Sequence, residues 1–154
     1  MFVYDGKEIK SVGFLGYGKS NEGIQNYLKG HFNGLRFILR SDSQIEVRDG
    51  IFHKIHAGSS AYDEINEDIL FLSPSARRDK KELREAHARG VILSSDAEFF
   101  LSNTDSDVFA VTGSDGKSTT TTLTAMMLAD SYVSAIPCGN IGEAMTPHLD
   151  DEAG

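Results

Sequence analysis

The chain has 154 residues, 40% of them apolar and 25% charged, which is enough for a domain with its own core. A net charge of −8 argues against a nucleic-acid partner, because tracking a phosphate backbone needs a basic stripe. A single cysteine, Cys138, excludes an internal disulfide, and no apolar run has the length of a membrane span or the form of a signal segment, so a cytoplasmic location is expected.

The chain opens on two short apolar runs around Asp5-Gly6, a favoured hairpin turn. Residues 12–15 read as a buried strand, and Gly16-Tyr17-Gly18 as a turn. Ser20 or Asn21 is expected to cap a helix running to about residue 29. A strand follows at 35–39. Residues 45–55 are ambiguous, with a second hairpin through Asp49-Gly50 as one solution. A short helix at 62–66, a strand at 68–72 and a helix over 79–89 ended by Gly90 come next. The remaining expectations are strands at 91–93, 108–111 and 132–136, helices at 96–101 and 117–130, and a helical turn from Glu143.

Alternating strands and helices predict an α/β fold with a parallel sheet. The polar, helix-breaking run over residues 102–107 marks a boundary. Residues 1–102 then form a Rossmann-like domain. Residues 103–154 form the truncated start of a P-loop-type α/β domain, too small to close a core of its own. Its strands at 108–111 and 132–136 would have open edges, which invite packing on the first sheet or dimerisation.

Two glycine loops carry the chemistry. In the first, strand 12–15 feeds Gly16-x-Gly18-x-x-Asn21, where a dinucleotide fingerprint would have glycine at 21. Arg40 stands where that fingerprint needs an acid for the ribose diol, so NAD is disfavoured. Other diphosphates suit the same helix N-terminus equally well. A turn needed only for helix–strand packing is the plain alternative. In the second, Gly113-Ser114-Asp115-Gly116-Lys117-Ser118-Thr119 lies between an apolar strand and a helix. Its N–H groups form an anion cradle, Lys117 would reach the β- and γ-phosphates of ATP, and the Ser118 hydroxyl would sit on Mg²⁺. The strict pattern places glycine at 111, where this chain has Val111. A helix-capping turn with a solvated lysine is the plain alternative here.

The rest is less telling. Thr119 and Thr120 read as hydroxyls near the phosphates, and Thr121, Thr122 and Thr124 as packing or exposed-face residues. Leu123, Met126 and Met127 read as core. Cys138 reads as a small buried hydrophobe. His53-x-x-His56 lacks partners for a metal site, and the mixed charges of 77–85 read as solvated helix surface.

The displaced glycine in T-G-S-D-G-K-S-T resembles the ATP loop of the Mur ligases, amide-forming enzymes of peptidoglycan precursor synthesis. Three further elements occur in the family's order. They are G-Y-G-K-S near the N-terminus, Leu72-Ser73-Pro74-Ser75 (similar to the family's S-P-G turn), and Gly139-Asn140-Ile141-Gly142, which resembles a tetrapeptide of the D-glutamate-adding branch. The resemblance covers nearly the whole chain as the N-terminal part of such a ligase.

It implies that the first domain binds the UDP of UDP-N-acetylmuramoyl-L-alanine. Gly18, Lys19, Ser20 and Asn21 would meet the diphosphate, and Ser41 and Asp42 the uridine. Ser75 takes the place of the family's turn glycine, and Asn140 would contact the muramoyl part. It also implies ATP, Mg²⁺, a catalytic role for Lys117 and an acyl-phosphate route to the amide with D-glutamate. The D-glutamate site and further metal ligands of the family lie beyond residue 154, so this polypeptide is expected not to ligate. A non-catalytic UDP-sugar module and another P-loop nucleotide hydrolase are the alternatives. The L-alanine-adding ligases, with T-H-G-K-T, resemble the chain less, and folate polyglutamate ligases share only the loop.

Overall fold

The computed structural model describes residues 1–43, 50–131, 134–139 and 143–151. Strands β1 (Phe2–Tyr4) and β2 (Lys7–Ile9) form the expected hairpin. Asp5 and Gly6 have φ of 50° and 72°, the left-handed pair that a tight hairpin turn demands. β3 (Ser11–Leu15), β4 (Arg36–Ser41), β5 (Lys54–Ala57), β6 (Ile69–Leu72) and β7 (Ile92–Ser94) form one parallel sheet in the order β5-β4-β3-β6-β7. This is the Rossmann-like α/β fold that the alternation predicts. β3 and β6 are buried along their whole length, as central parallel strands covered on both faces must be.

Side chains alternate between the two faces. Val12, Phe14, Phe37, Leu39 and Phe71 face α1 (Lys19–His31), α3 (Asp96–Leu101) and the hairpin. Phe99 is the hub on this side, 5.5 Å centre to centre from Phe71 and 5.7 Å from Tyr4. Leu15, Leu70 and Leu72 face α2 (Lys81–Ala88) and the loop around Ala61, Tyr62 and Ile65.

Several elements differ from expectation. Helix α1 begins at Lys19 with Gly18 as its cap, so Ser20 and Asn21 lie inside its first turn. Ser95 caps α3, its hydroxyl oxygen accepting the Glu98 N–H. Residues 62–64 form turns and 65–66 no regular element in place of a helix, because the loop carbonyls there bond a side chain. Residues 44–49 lie outside the described residues, and 54–57 form a parallel strand beside β4, not one arm of a hairpin.

The side chain that these loop carbonyls bond is Arg40. Its guanidinium is 1% exposed. It donates to Glu67 Oε1 at 2.8 Å and to the carbonyls of Ala61, Asp63 and Glu64 at 2.8–3.1 Å. Glu67, also buried, makes a second contact with Arg40 at 2.7 Å and accepts the Asn66 N–H. Gly13 makes room for this pair. A Cβ there would lie 2.7 Å from Leu70 and 3.1 Å from Glu67.

Past α3 no strand of the expected second sheet occurs among the described residues. Residues 108–111 and 134–136 carry no strand, since no neighbouring strand stands beside them to take their N–H and C=O groups. The open edges expected there, and the dimerisation argued from them, lose their basis. Residues 132 and 133 lie outside the described residues. Helix α4 (Lys117–Asp130) forms as predicted but buries none of its residues. Leu123, Met126 and Met127 are therefore exposed, not core. Their apolar spacing marks a face to be covered, and the described residues supply nothing to cover it. No described helix is long and apolar enough to cross a membrane.

The buried pair predicts a stability pattern. Arg40→Ala leaves Glu67 charged and alone, and should cost about 3–5 kcal/mol in urea unfolding. The double replacement Arg40→Met with Glu67→Met should recover much of that loss. Equal destabilisation by the single and double variants would show that the pair is not the cause.

Candidate functional site

The sheet order reverses direction between β3 and β6. In an open α/β sheet, the crevice beyond the carboxyl ends of two such strands is where ligands bind. A cleft of about 530 Å³ lies at that place. Three loops line it, and each follows a strand: Gly16–Ser20 after β3, Asp42–Ser43 after β4, and Ser73–Ala76 after β6. The cleft thus gathers Gly18, Lys19, Ser20, Ser41, Asp42 and Ser75, six of the residues predicted from sequence.

Local chemistry builds each loop. Gly16 has φ of 78°, and a Cβ on it would lie 2.4 Å from Ser73 Oγ, so only glycine fits. Its N–H donates to the Arg40 carbonyl at 2.8 Å, and the Ser73 N–H donates to the Leu15 carbonyl at 3.0 Å. The three loops are thus joined by backbone bonds at the strand ends. Lys19, Ser20 and Asn21 form the first turn of α1, whose earliest intrahelical bond runs from the Glu22 N–H to the Gly18 carbonyl. N–H groups in that turn have no carbonyl one turn earlier to bond, and they sit at the positive end of the helix dipole.

Asn21 does not line the cleft. Its side chain is fully buried, and its amide donates to the carbonyls of Gly16 at 2.6 Å, Phe71 at 3.3 Å and Leu15 at 3.4 Å. Asparagine replaces the fingerprint glycine here because it staples the loop to both central strands. Ser75 is exposed, with its hydroxyl 3.2 Å from that of Ser73. Ser41 is buried, and its Oγ accepts the Ser43 N–H at 3.3 Å.

Sequence reading missed Tyr62. Its hydroxyl donates to Asp42 Oδ2 at 3.0 Å, and Lys80 Nζ lies 4.9 Å above its ring centre. Tyr62 thereby holds the one acid among the residues that line the cleft. The two residues are 20 apart with no shared period, so no local pattern could have paired them.

The second loop does not touch this cleft. Gly113 and Gly116 take φ of 151° and 75°, and Gly116 caps α4. Lys117 Nζ donates back into the loop, to the Gly113 and Ser114 carbonyls. Ser118 and Thr119 are exposed in the first turn of α4, whose first bond runs from the Thr120 N–H to the Gly116 carbonyl. Thr121 donates its hydroxyl to the Lys117 carbonyl at 2.9 Å, which accounts for a β-branched residue inside the helix. Asp115 is exposed at the loop tip. Asn140 lies outside the described residues. Cys138 is half-buried, and burial followed by the nearby Asp96 charge pushes its thiol pKa up. His53 Nδ1 accepts the Phe37 N–H, and no group of three or more His, Cys, Asp or Glu able to hold a metal occurs among the described residues.

Burial, then the hydrogen bond to Asp42, raises the Tyr62 pKa from its ordinary 10 to about 12. The folded chain keeps a proton that the unfolded chain releases above pH 10. Stability is therefore lost as pH rises from 10 to 12. Over that window, wild-type unfolding free energy should fall more steeply than that of Tyr62→Phe, by about 1.4 kcal/mol per pH unit. Parallel curves would show that Tyr62 is not held this way.

Several curated proteins are similar to this chain, while no family model matches it. The UDP-N-acetylmuramoylalanine--D-glutamate ligase of Thermotoga maritima is 33% identical over 150 residues, covering 92% of this chain and 34% of the relative. That of Ruminiclostridium cellulolyticum is 36% identical over 151 residues, covering 94% and 32%. That of Clostridium botulinum is 37% identical over 154 residues, covering 92% and 32%. The chain thus spans about a third of the length of the curated relatives it matches. The resemblance to the Mur ligases is thus shared with these relatives over nine tenths of the chain.

Proposed function

We propose that this chain carries the UDP-substrate cleft and the ATP loop of an ATP-dependent UDP-N-acetylmuramoyl-L-alanine:D-glutamate ligase, acting in the cytoplasm in peptidoglycan precursor synthesis. The observation that carries this reading is the cleft at the switch point. It joins a helix N-terminus for a diphosphate to Ser41 and Asp42 for a uridine. The names of the relatives supply the substrate, a UDP-N-acetylmuramoylalanine.

In this reading the N–H groups of Lys19, Ser20 and Asn21 bind the diphosphate, and the Lys19 ammonium adds charge. Asp42, aimed by Tyr62, accepts hydrogen bonds from the uridine. Gly16, Ser73 and the Asn21 staple keep the three loops in register. The muramoyl end, with the L-alanine carboxylate, would extend past the cleft, and the resemblance gives Asn140 as its contact.

The loop over 113–119 suits a triphosphate. Its two left-handed glycines turn the chain, and Lys117, whose Nζ donates to the Gly113 and Ser114 carbonyls, would exchange them for the β- and γ-phosphates. Ser118, exposed in the first turn of α4, fits Mg²⁺ that is held mainly by the nucleotide's own oxygens. The ion would neutralise charge building on the transferred phosphoryl group. The substrate carboxylate attacks the γ-phosphorus and ADP leaves. The D-glutamate amine then displaces phosphate from the acyl phosphate and loses a proton. Lys117 serves by positioning and charge, not by proton transfer.

The loop and α4 stand without a supporting strand among the described residues. We therefore expect this polypeptide alone to bind the UDP ligand and to form no amide.

Calorimetric titration tests the reading. UDP-N-acetylmuramoyl-L-alanine should bind, Asp42→Ala should weaken it about tenfold or more, and Lys117→Ala should leave it unchanged. Mg-ATP binding with no response to the UDP ligand would overturn the cleft assignment. Amide formation by the 154-residue chain would overturn the expectation of inactivity.

A further inference from the structure

A second cleft, of about 340 Å³, opens on the sheet face turned away from α1, over β4 and β5. It shares no lining residue with the cleft at the strand ends. Strand register builds it. Ile38 pairs with Lys54 and Arg40 with His56, so these four residues lie on one face. Arg36, two positions before Ile38, joins them. Phe37 and Leu39, which alternate with them, pack on the α1 side. Glu64, Asn66 and Glu67 form the wall, from the loop that Arg40 organises.

The floor of this cleft is neutral, because Arg40 and Glu67 are buried against each other at 2.7 Å. The rim is not. Arg36 and Lys54 are exposed, and neither side chain has a hydrogen-bond or ion-pair partner among the described residues. Glu64, also exposed, is the only other acid of the lining. Two free cations thus face one acid, in a chain whose net charge is −8. Two imidazoles add donors. His53 Nδ1 accepts the Phe37 N–H at 3.2 Å, so the neutral ring carries its proton on Nε2. His56 is half-buried, and its pKa is lowered by burial first and then by the Arg40 and Lys54 charges, which outweigh the opposing Glu67 and Asp63. The potential at that ring is therefore positive, and an anion is the ligand that it favours.

We propose that this cleft is a binding site for a small phosphate-bearing anion, held by Arg36 and Lys54 with the His53 and His56 imidazoles as further donors. The Arg36 guanidinium is a planar fork that matches two phosphate oxygens, and Lys54 sets a point charge beside it. A bound phosphate offsets the repulsion from Arg40 and Lys54, so His56 takes up a proton more readily when the site is filled. The site stands apart from the strand-end cleft and from the loop over 113–119, and it does not depend on the functional reading above. Inorganic phosphate and a phosphate monoester share this chemistry.

The test is an NMR titration of the 154-residue chain near pH ~7 with sodium phosphate and with glycerol phosphate, against sodium chloride at equal ionic strength. The imidazole C–H resonances of the five histidines are followed. Those of His53 and His56 should move and saturate, and the His56 titration midpoint should rise in phosphate. Arg36→Gln and Lys54→Gln, both at exposed positions, should each weaken binding about tenfold. Lys19→Gln, at the other cleft, should change it less than about twofold. Glycerol phosphate binding as tightly as phosphate or tighter assigns the site to an ester, and binding of phosphate alone assigns it to the free ion. An equal response to chloride would overturn the proposal. So would His53 and His56 resonances that stay in place, or binding that falls with Lys19→Gln and not with Arg36→Gln.

Discussion

The buried guanidinium of Arg40 holds β4, the loop over 61–67 and the entry to β6 together. A charge taken out of water must be paired and fully hydrogen-bonded to be tolerated. Arg40 meets that demand by gathering Glu67 and three backbone carbonyls from the loop over 61–67. The loop then has no need to form a helix, and Glu64 accepts a left-handed φ of 45° while its carbonyl bonds the arginine. Gly13 in the central strand leaves the space that the ion pair occupies. One side chain thus joins β4, the loop that covers one face of the sheet, and the entry to β6.

The cleft inherits its shape from this arrangement. Because Arg40 turns inward, the next residues of the chain, Ser41 and Asp42, are the ones presented at the carboxyl end of β4. The Arg40 carbonyl holds Gly16, and Gly16 in turn lies too close to Ser73 for any side chain. Asn21 completes the set by tying the first loop to β3 and β6. The cleft surface is therefore an outcome of backbone contacts between strand ends, and the polar side chains that line it are mounted on that frame. Tyr62 shows the same logic one layer out. The loop that Arg40 organises is the one that brings a phenol to Asp42.

The two halves of the chain differ in how far they are supported. The first sheet has helices or loops on both faces and a continuous aromatic layer through Phe99. Helix α4 and the loop over 113–119 keep their local geometry, with caps and left-handed glycines in place, but bury almost nothing. Local geometry comes from residue type at each position, whereas burial needs a partner surface. Between these halves runs the 143–151 segment, which sequence order assigns to the second part and which the Asp96 carboxylate assigns to the first.

The amino-acid sequence by itself determined the features written in short spacings. These are the Asp5-Gly6 turn, the apolar runs of β3 and β6, the helix over 117–130 and the two glycine loops. Each depends on neighbours one to four residues apart, where backbone sterics and hydrogen bonding act directly. Only the tertiary structure decided that Arg40 faces inward, that Asn21 staples instead of lining the cleft, that Tyr62 meets Asp42, and that Thr146 returns to Asp96. Apart from the short reach of Asn21 back to Leu15 and Gly16, those pairings span 20 to 50 residues. No period connects their members, so they arise from the sheet order, which brings distant strand ends to one edge. The exposed face of α4 marks the same boundary. An apolar spacing says that a face must be covered, and only the arrangement of the other elements says by what.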